Sequence, residues 1–262
     1  MATILCDLDG TLLVKVRPDP PGVVSPKRAA VNLALAEVLG LPGVDFVQGI
    51  EHGLTDWQIS ERAAQIHRPQ TRIDGIAWHA ICLRAEAVFR APAAGRTPLY
   101  QRLPGVPATL HALRAAGHRL GLVTGNMAFA AVFKLLDAGI DRGLFDGPLA
   151  FGDLGRERSE LLRVAMTWSR PDAGGAGGAG CDRAARDDAA VVVLGDTLHD
   201  RAAALAVGLP FLGTGTTGLD RQEVLVRGAE AAEAAEAPHT AWVPNLGDAA
   251  VVLRAVAALL AP

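Results

Sequence analysis

The sequence predicts an α/β fold, a doubly wound, Rossmann-like parallel sheet with a small helical domain inserted after its first strand. Three observations predict it. Apolar runs at residues 4–6, 120–123 and 191–194 each end in glycine or polar residues, the pattern of buried parallel strands that deliver loops at their carboxyl ends. From Leu103 onward, helical and strand-like segments alternate, as in a sheet wound by βα units. The stretch 16–100 carries only helix signals, so it reads as a cap domain set into a core made of residues 1–15 and 101–262.

Each element has a local reason. After Leu13 the chain changes character and becomes helical until about Tyr100. Ser25 and Pro26 form a helix start, a capping hydroxyl followed by proline at the first helical position, and Gly40 is the stop after Val38 and Leu39. Thr55 and Gln58 have capping-box spacing, and Ile59, Ala63 and Ile66 then recur at helical intervals. A third helix spans about 74–89 and ends before Pro92. Beyond Leu103 come a helix through Leu113 stopped by Gly117, a strand into Thr124, and a helix through Leu136 stopped by Gly139. A strand near 149–151, a helix from Ser159, the strand before Asp196, short strands near 210–212 and 242–243, and a helix over 249–260 complete the count. In that last helix Arg254 interrupts an apolar stripe that suits packing on the core better than a membrane. Residues 171–180, rich in glycine and alanine, read as a flexible surface loop. The alanine and glutamate run 230–236 reads equally as a solvated helix or a disordered excursion.

Composition narrows the function classes. With 262 residues, half of them hydrophobic, the chain can bury a sizeable core, and a net charge of -3 offers no basic footprint for nucleic acid. No apolar run is long enough to span a bilayer, and the first residues do not form a cleaved secretory segment. Cys6, Cys82 and Cys181 are widely spaced, odd in number and without metal-ligand spacing, which suits a reduced, cytoplasmic chain. Cys6 adjoins the aspartates but reads as a small buried hydrophobe. The oligomeric state stays open.

Chemistry is signalled first by Asp7 and Asp9, two carboxylates one residue apart where an apolar strand runs into Gly10. If the strand continues through them, both lie on one side of it, so one could attack while the other moves protons. A surface turn would look the same; a calcium loop would not, because no further oxygen ligands follow at the required spacing. Thr124, Gly125 and Asn126 arrive at a second strand end before a helix whose N-terminus favours an anion, which suits a phosphoryl oxygen. Asp196 and Asp200 follow a third strand and suit a hard cation.

Taken in order, these segments resemble the haloacid dehalogenase superfamily over the whole chain. Asp7 and Asp9 match its first motif, Thr124 its second, and Gly195, Asp196, Thr197 and Asp200 its fourth. The third motif is normally a lysine; Arg158, just before a helix, is the best match by position, with Lys134 as the other candidate. An arginine in that place keeps the charge but changes its reach. The run Gly53, Leu54, Thr55, Asp56 resembles a segment of phosphoglycolate-phosphatase-like members. Glu51, His52 and Thr55 are therefore candidates to face substrate, although Thr55 and Asp56 serve equally as helix-start residues. His199 reads as facing solvent or capping its helix.

The resemblance implies a Mg2+-dependent phosphomonoester hydrolase acting on a small phosphorylated metabolite, such as phosphoglycolate or a sugar phosphate. Asp7 would attack phosphorus and Asp9 would serve as acid and base. Thr124 and Arg158 would hold the phosphoryl oxygens together with Leu8, Gly10, Thr11, Gly125 and Asn126. Mg2+ would be held by Asp7, Asp196 and the Asp9 carbonyl, with Asp200 orienting Asp196 or a bound water. A phosphomutase would share these core residues, whereas a non-catalytic phospho-ligand binder would not need both Asp7 and Asp9.

Overall fold

The computed structural model describes residues 1–16, 24–41, 43, 45, 53–92, 97–169, 190–215 and 239–261. Glu51, His52, Cys181 and the segments 171–180 and 230–236 lie outside the described residues.

Six parallel strands form the main sheet. These are β1 (Ala2–Cys6), β4 (Arg119–Thr124), β5 (Leu149–Phe151), β6 (Ala190–Gly195), β7 (Phe211–Thr214) and β8 (Thr240–Val243), in the order β5-β4-β1-β6-β7-β8. From β1 the winding runs through β4 to β5 on one side, then crosses to β6 and continues to β8 on the other. The carboxyl ends of β4, β1 and β6 therefore flank the point where the strand order reverses, where such sheets leave a crevice. The strands are apolar on both faces, as parallel strands covered by helices must be. Ile4 and Cys6 of β1, Leu120 and Leu122 of β4, and Val192 and Leu194 of β6 face one layer. Leu5, Val123 and Val193 face the other, in strict period 2. Each fully buried leucine or isoleucine contributes about 1.5–3 kcal/mol from removal of apolar surface from water.

On the first face lie α4 (Val106–Ala115), α5 (Ala128–Asp137) and the C-terminal α8 (Ala249–Leu259); on the second lie α6 (Arg158–Ser169) and α7 (Leu198–Ala206). The glycine stops at 117 and 139 stand at left-handed φ of 84° and 67°, as a helix C-terminus of this kind demands. Helix α6 begins at Arg158, one residue earlier than the spacing suggested.

Between β1 and β4 the chain forms α1 (Pro26–Leu39), α2 (Asp56–His67) and α3 (Gly75–Val88). Their starts follow the local signals: Ser25 caps α1, Thr55 and Gln58 form a capping box on α2, and Asp74 caps α3. These helices bury their own cluster, including Val31, Leu35, Ala63, Trp78 and Ile81, and Met127 of the loop after β4 joins it. Trp57 and Trp78 stack at 5.3 Å, and the Trp78 indole donates to the Gly152 carbonyl at 3.0 Å, tying insert to core.

One expectation is corrected here. The chain does not turn helical at Leu13. Strands β2 (Leu13–Lys15) and β3 (Tyr100–Arg102) pair antiparallel and bracket the insert, a ribbon too short to show alternation in sequence. Ile66 is 66% exposed, because α2 packs through Ala63 and Ala64 and turns its last apolar position outward.

Candidate active site

Strand β1 ends at Cys6, so Asp7 and Asp9 are not consecutive same-face residues of one strand. The chain turns at once: the Leu8 carbonyl accepts from Leu12 N at 2.9 Å and Leu13 N at 3.1 Å, and Gly10 N donates to Leu13 O at 2.8 Å. Gly10 is required twice over. Its φ is 81°, and a Cβ there would lie 2.3 Å from an Asp196 carboxylate oxygen. The turn buries the Leu8 side chain in the core and sends the two carboxylates into different surroundings.

Asp7 is buried. Its Oδ1 accepts from Arg158 Nη1 at 3.2 Å, and the same nitrogen donates to Asp200 Oδ1. Arg158 Nε donates to the Gly53 carbonyl of the insert at 2.7 Å. Asp196 accepts from the Thr11 hydroxyl at 3.0 Å. Asp200 closes a capping box with Thr197 on α7 and accepts from Arg158, so it steadies both that guanidinium and its own helix. One carboxylate oxygen each from Asp7, Asp196 and Asp200 lies within 4.8 Å of the others. Three buried carboxylates against one guanidinium leave two negative charges, and an all-oxygen donor set of that charge fits a hard divalent cation. Burial, Asp200 and Asp9 push the Asp7 carboxyl up, with Arg158 opposing. The Cys6 thiol is pushed up to about 12 by burial and Asp7, which leaves it chemically quiet.

Asp9 has the opposite setting. Its side chain is 43% exposed and both oxygens accept from Lys134 Nζ, at 2.8 and 2.6 Å. Asn126 Nδ2 donates to Asp9 Oδ2 at 2.7 Å and to Thr124 Oγ1 at 2.7 Å. Partial desolvation would raise this carboxyl, but Lys134, Asn126 and Lys27 overcome it and hold the group below the usual carboxylate range. Lys134 is therefore no solvated helical lysine; it is buried on α5.

Lys27 was not among the sequence candidates. It lies in the first turn of α1, yet its Nζ donates to Asp56 Oδ1 at 2.8 Å and to Asn126 Oδ1 at 3.0 Å. The available signal was electrostatic, because a cation at a helix N-terminus opposes the macrodipole and needs a tertiary partner. Asp56 goes further into the core, its Oδ2 accepting from Met127 N at 2.8 Å.

This alters the expectation for the second loop. The N-terminus of α5 is met by the protein's own carboxylates, Asp56 at Met127 N and Asp153 at Ala128 N. Asn126 spends its amide on Asp9, Thr124 and the two lysines, so it organises the site. Thr124 Oγ1 accepts from Asn126 and keeps its own proton to donate. Gly125 is where insert and core touch: a Cβ there would lie 2.8 Å from Thr55 Cα, and its carbonyl accepts from Asp56 N at 2.7 Å. Thr55 Oγ1 donates to the Arg156 carbonyl at 2.5 Å, so its polar group is used in fastening the insert. His199 is exposed as expected, and Thr197 caps the helix in its place. An open cavity of about 230 Å³ is lined by Gly53, Leu54, Gln58, Arg158 and His199 among others. Its wall at Arg158 adjoins the triad, since that guanidinium also donates to Asp7 and Asp200.

The loop at the switch point of this doubly wound sheet thus carries two differently solvated aspartates, one of which, Asp7, completes an acidic triad with Asp196 and Asp200. The family model of haloacid dehalogenase-like hydrolases matches residues 1–208, and the chain belongs to that family. Among curated proteins none matches the sequence significantly. A hydrolase from Pseudomonas syringae is similar in structure, at 16% identity over 97% of this chain and 98% of that one, with a TM-score of 0.54. So is a CbbY mutant from Rhodobacter sphaeroides in complex with xylulose-(1,5)bisphosphate, at 19% identity over 94% and 95% of the chains, with a TM-score of 0.52. At these identities the likeness is one of fold. No described helix is long and apolar enough to cross a membrane.

Proposed function

We propose that this protein is a Mg2+-dependent phosphomonoester hydrolase acting on a small phosphorylated metabolite, of phosphoglycolate or sugar-phosphate type, through a covalent phosphate on Asp7. Residues 16–100 serve as its cap, reaching the site through Lys27 on the Asp9 side and through the Gly53 carbonyl on the Arg158 side. The observation that carries this reading is the charge balance at the strand ends. Asp7, Asp196 and Asp200 outnumber Arg158 by two charges, as a site built to receive a divalent cation must. The solved CbbY complex, of similar fold, holds a phosphorylated sugar.

In the first half-reaction an Asp7 carboxylate oxygen attacks phosphorus, the phosphorus–oxygen ester bond breaks, and the departing oxygen takes a proton from Asp9. In the second, Asp9 accepts a proton from water as that water attacks phosphorus, and the bond to Asp7 breaks to release phosphate. Asp9 rests as a carboxylate beside Lys134. An arriving phosphate dianion adds negative charge next to it and favours its protonation before the first step. Arg158, fixed by Asp200 and the Gly53 carbonyl, and the Thr124 hydroxyl hold the non-bridging oxygens. Mg2+, held by Asp7, Asp196 and the Asp9 carbonyl, would neutralise charge that otherwise repels the phosphate from Asp7.

The test is phosphate release from a panel of small phosphomonoesters, with Mg2+ and with EDTA, using Asp7→Asn beside the parent protein. Release that requires Mg2+ and disappears in Asp7→Asn is expected. Release that persists with EDTA, or in Asp7→Asn, would overturn the mechanism.

A further inference from the structure

Two lysines, Lys134 buried and Lys27 partly buried, converge on Asn126 from two parts of the molecule. Lys134 comes from α5 of the core and donates to Asn126 Oδ1 at 2.7 Å; Lys27 comes from α1 of the insert and donates to the same oxygen at 3.0 Å. The opposite end of that amide donates to Asp9 Oδ2, and Lys134 also grips both Asp9 oxygens. Asp9 is thus held at three contacts by two side chains of the core, and the amide that holds it is itself anchored from the insert.

This cluster differs from an ordinary surface ion pair. Among the described residues Lys27 pairs with Asp56 and Lys134 with Asp9, so the cluster's cations are matched by its own carboxylates. A lysine reserved for phosphate would instead face the acidic triad, as Arg158 does. Asp56 completes the linkage, accepting from Lys27 and from Met127 N, so α1, α2 and the loop after β4 meet at the groups that aim Asp9. The Asn126 amide cannot turn over without facing its NH2 to two ammonium groups, which fixes the direction of its donation to Asp9.

We infer that Lys134 is a positioning residue for Asp9 and not a phosphate ligand, and that Lys27, acting through Asn126, makes this positioning depend on the insert being seated on the core. The inference rests on the hydrolase reading above and assigns its acid–base group a two-part support.

Turnover of p-nitrophenyl phosphate with Mg2+ tests it: its leaving group needs little protonation, so Asp9→Asn loses chiefly the base of the second half-reaction and keeps measurable activity. Lys134→Met is expected to lower kcat about 10–100-fold in the parent, within the range that general acid–base catalysis supplies, with little change in KM. Lys27→Met is expected to lower it less, about 5-fold, and Lys134→Arg to recover part of the loss. In the Asp9→Asn background both methionine substitutions should change kcat by less than about 2-fold, since a residue acting through Asp9 has nothing left to act on. A structural or phosphate-binding lysine would cost the same in both backgrounds. Should Lys134→Met fail to fold, Lys27→Met with its double mutant carries the same comparison. Losses that multiply with Asp9→Asn overturn this inference alone and leave the hydrolase reading standing. A parent protein that releases no phosphate from any ester overturns both.

Discussion

Asp7 and Asp9 lie two positions apart in the chain, yet their surroundings are electrostatic opposites. Asp7 is buried among Asp196 and Asp200 with Arg158 as its cation among the described residues, and its carboxyl is pushed up. Asp9 is half-exposed, gripped by Lys134 in a cluster whose cations are matched by its own carboxylates, and its carboxyl is pulled down. One half of the site is short of positive charge and the other has its cation built in. Two carboxylates given different roles need different environments, and here a single tight turn at Gly10 separates them.

Three experiments can break or sharpen that contrast. The largest effect is expected from Arg158→Ala, which removes the fixed donor from the charge-deficient half. Its kcat for phosphate release should fall about 10²–10³-fold, with Arg158→Lys recovering part. Near-parent turnover in Arg158→Ala would mean that Lys134 serves the phosphate after all. Next, Asp196→Asn should raise the Mg2+ concentration for half-maximal activity by about 10–100-fold, whereas Lys134→Met should leave it unchanged. A metal titration reads both, and equal shifts would erase the distinction between the halves.

The smallest effect is on stability. For Asp7 the folded-state pKa lies above the unfolded one, so the folded protein loses stability as pH rises from the ordinary carboxylate range towards the raised value. In EDTA, Asp7→Asn should therefore be more stable than the parent near neutral pH by about 1 kcal/mol, roughly 2–4 °C in Tm, and the gain should vanish near pH 4. Asp9 has the reverse sign. Its folded pKa is lowered, so its contribution is present above the ordinary carboxylate value and lost as pH falls through the lowered one. Asp9→Asn should accordingly lower Tm at neutral pH. Thermal melts in EDTA across that range check both, and a destabilised Asp7→Asn would show that Arg158 already balances the triad.

Local signals carried most of the fold. Ser25, Thr55 and Asp74 start the three helices of the insert where their side chains allow, and the apolar runs into Asp7, Thr124 and Asp196 are the three central strands of the sheet. The β2–β3 ribbon was illegible because strands of three residues have no period to detect. Asp7, Thr124, Asp196, Asp200 and Arg158 were legible because each stands at the end of an apolar run or the start of a helix. Lys27 was not, because its partners Asp56 and Asn126 are 29 and 99 positions away. Asp56 was read as a helix-start residue, which it is; its bond to Met127 N depends on how the insert seats.

By itself the sequence determined the doubly wound sheet, the three helices that follow its first strand and the order of the carboxylates along the chain. Those follow from hydrophobic period, capping chemistry and turn residues, all of which act over a few neighbouring positions. Which cation each carboxylate meets was decided only by the tertiary structure. Arg158 on Asp7 and Lys134 on Asp9 span 151 and 125 positions, and Coulombic pairing depends on distance in space and on burial, neither of which local sequence encodes.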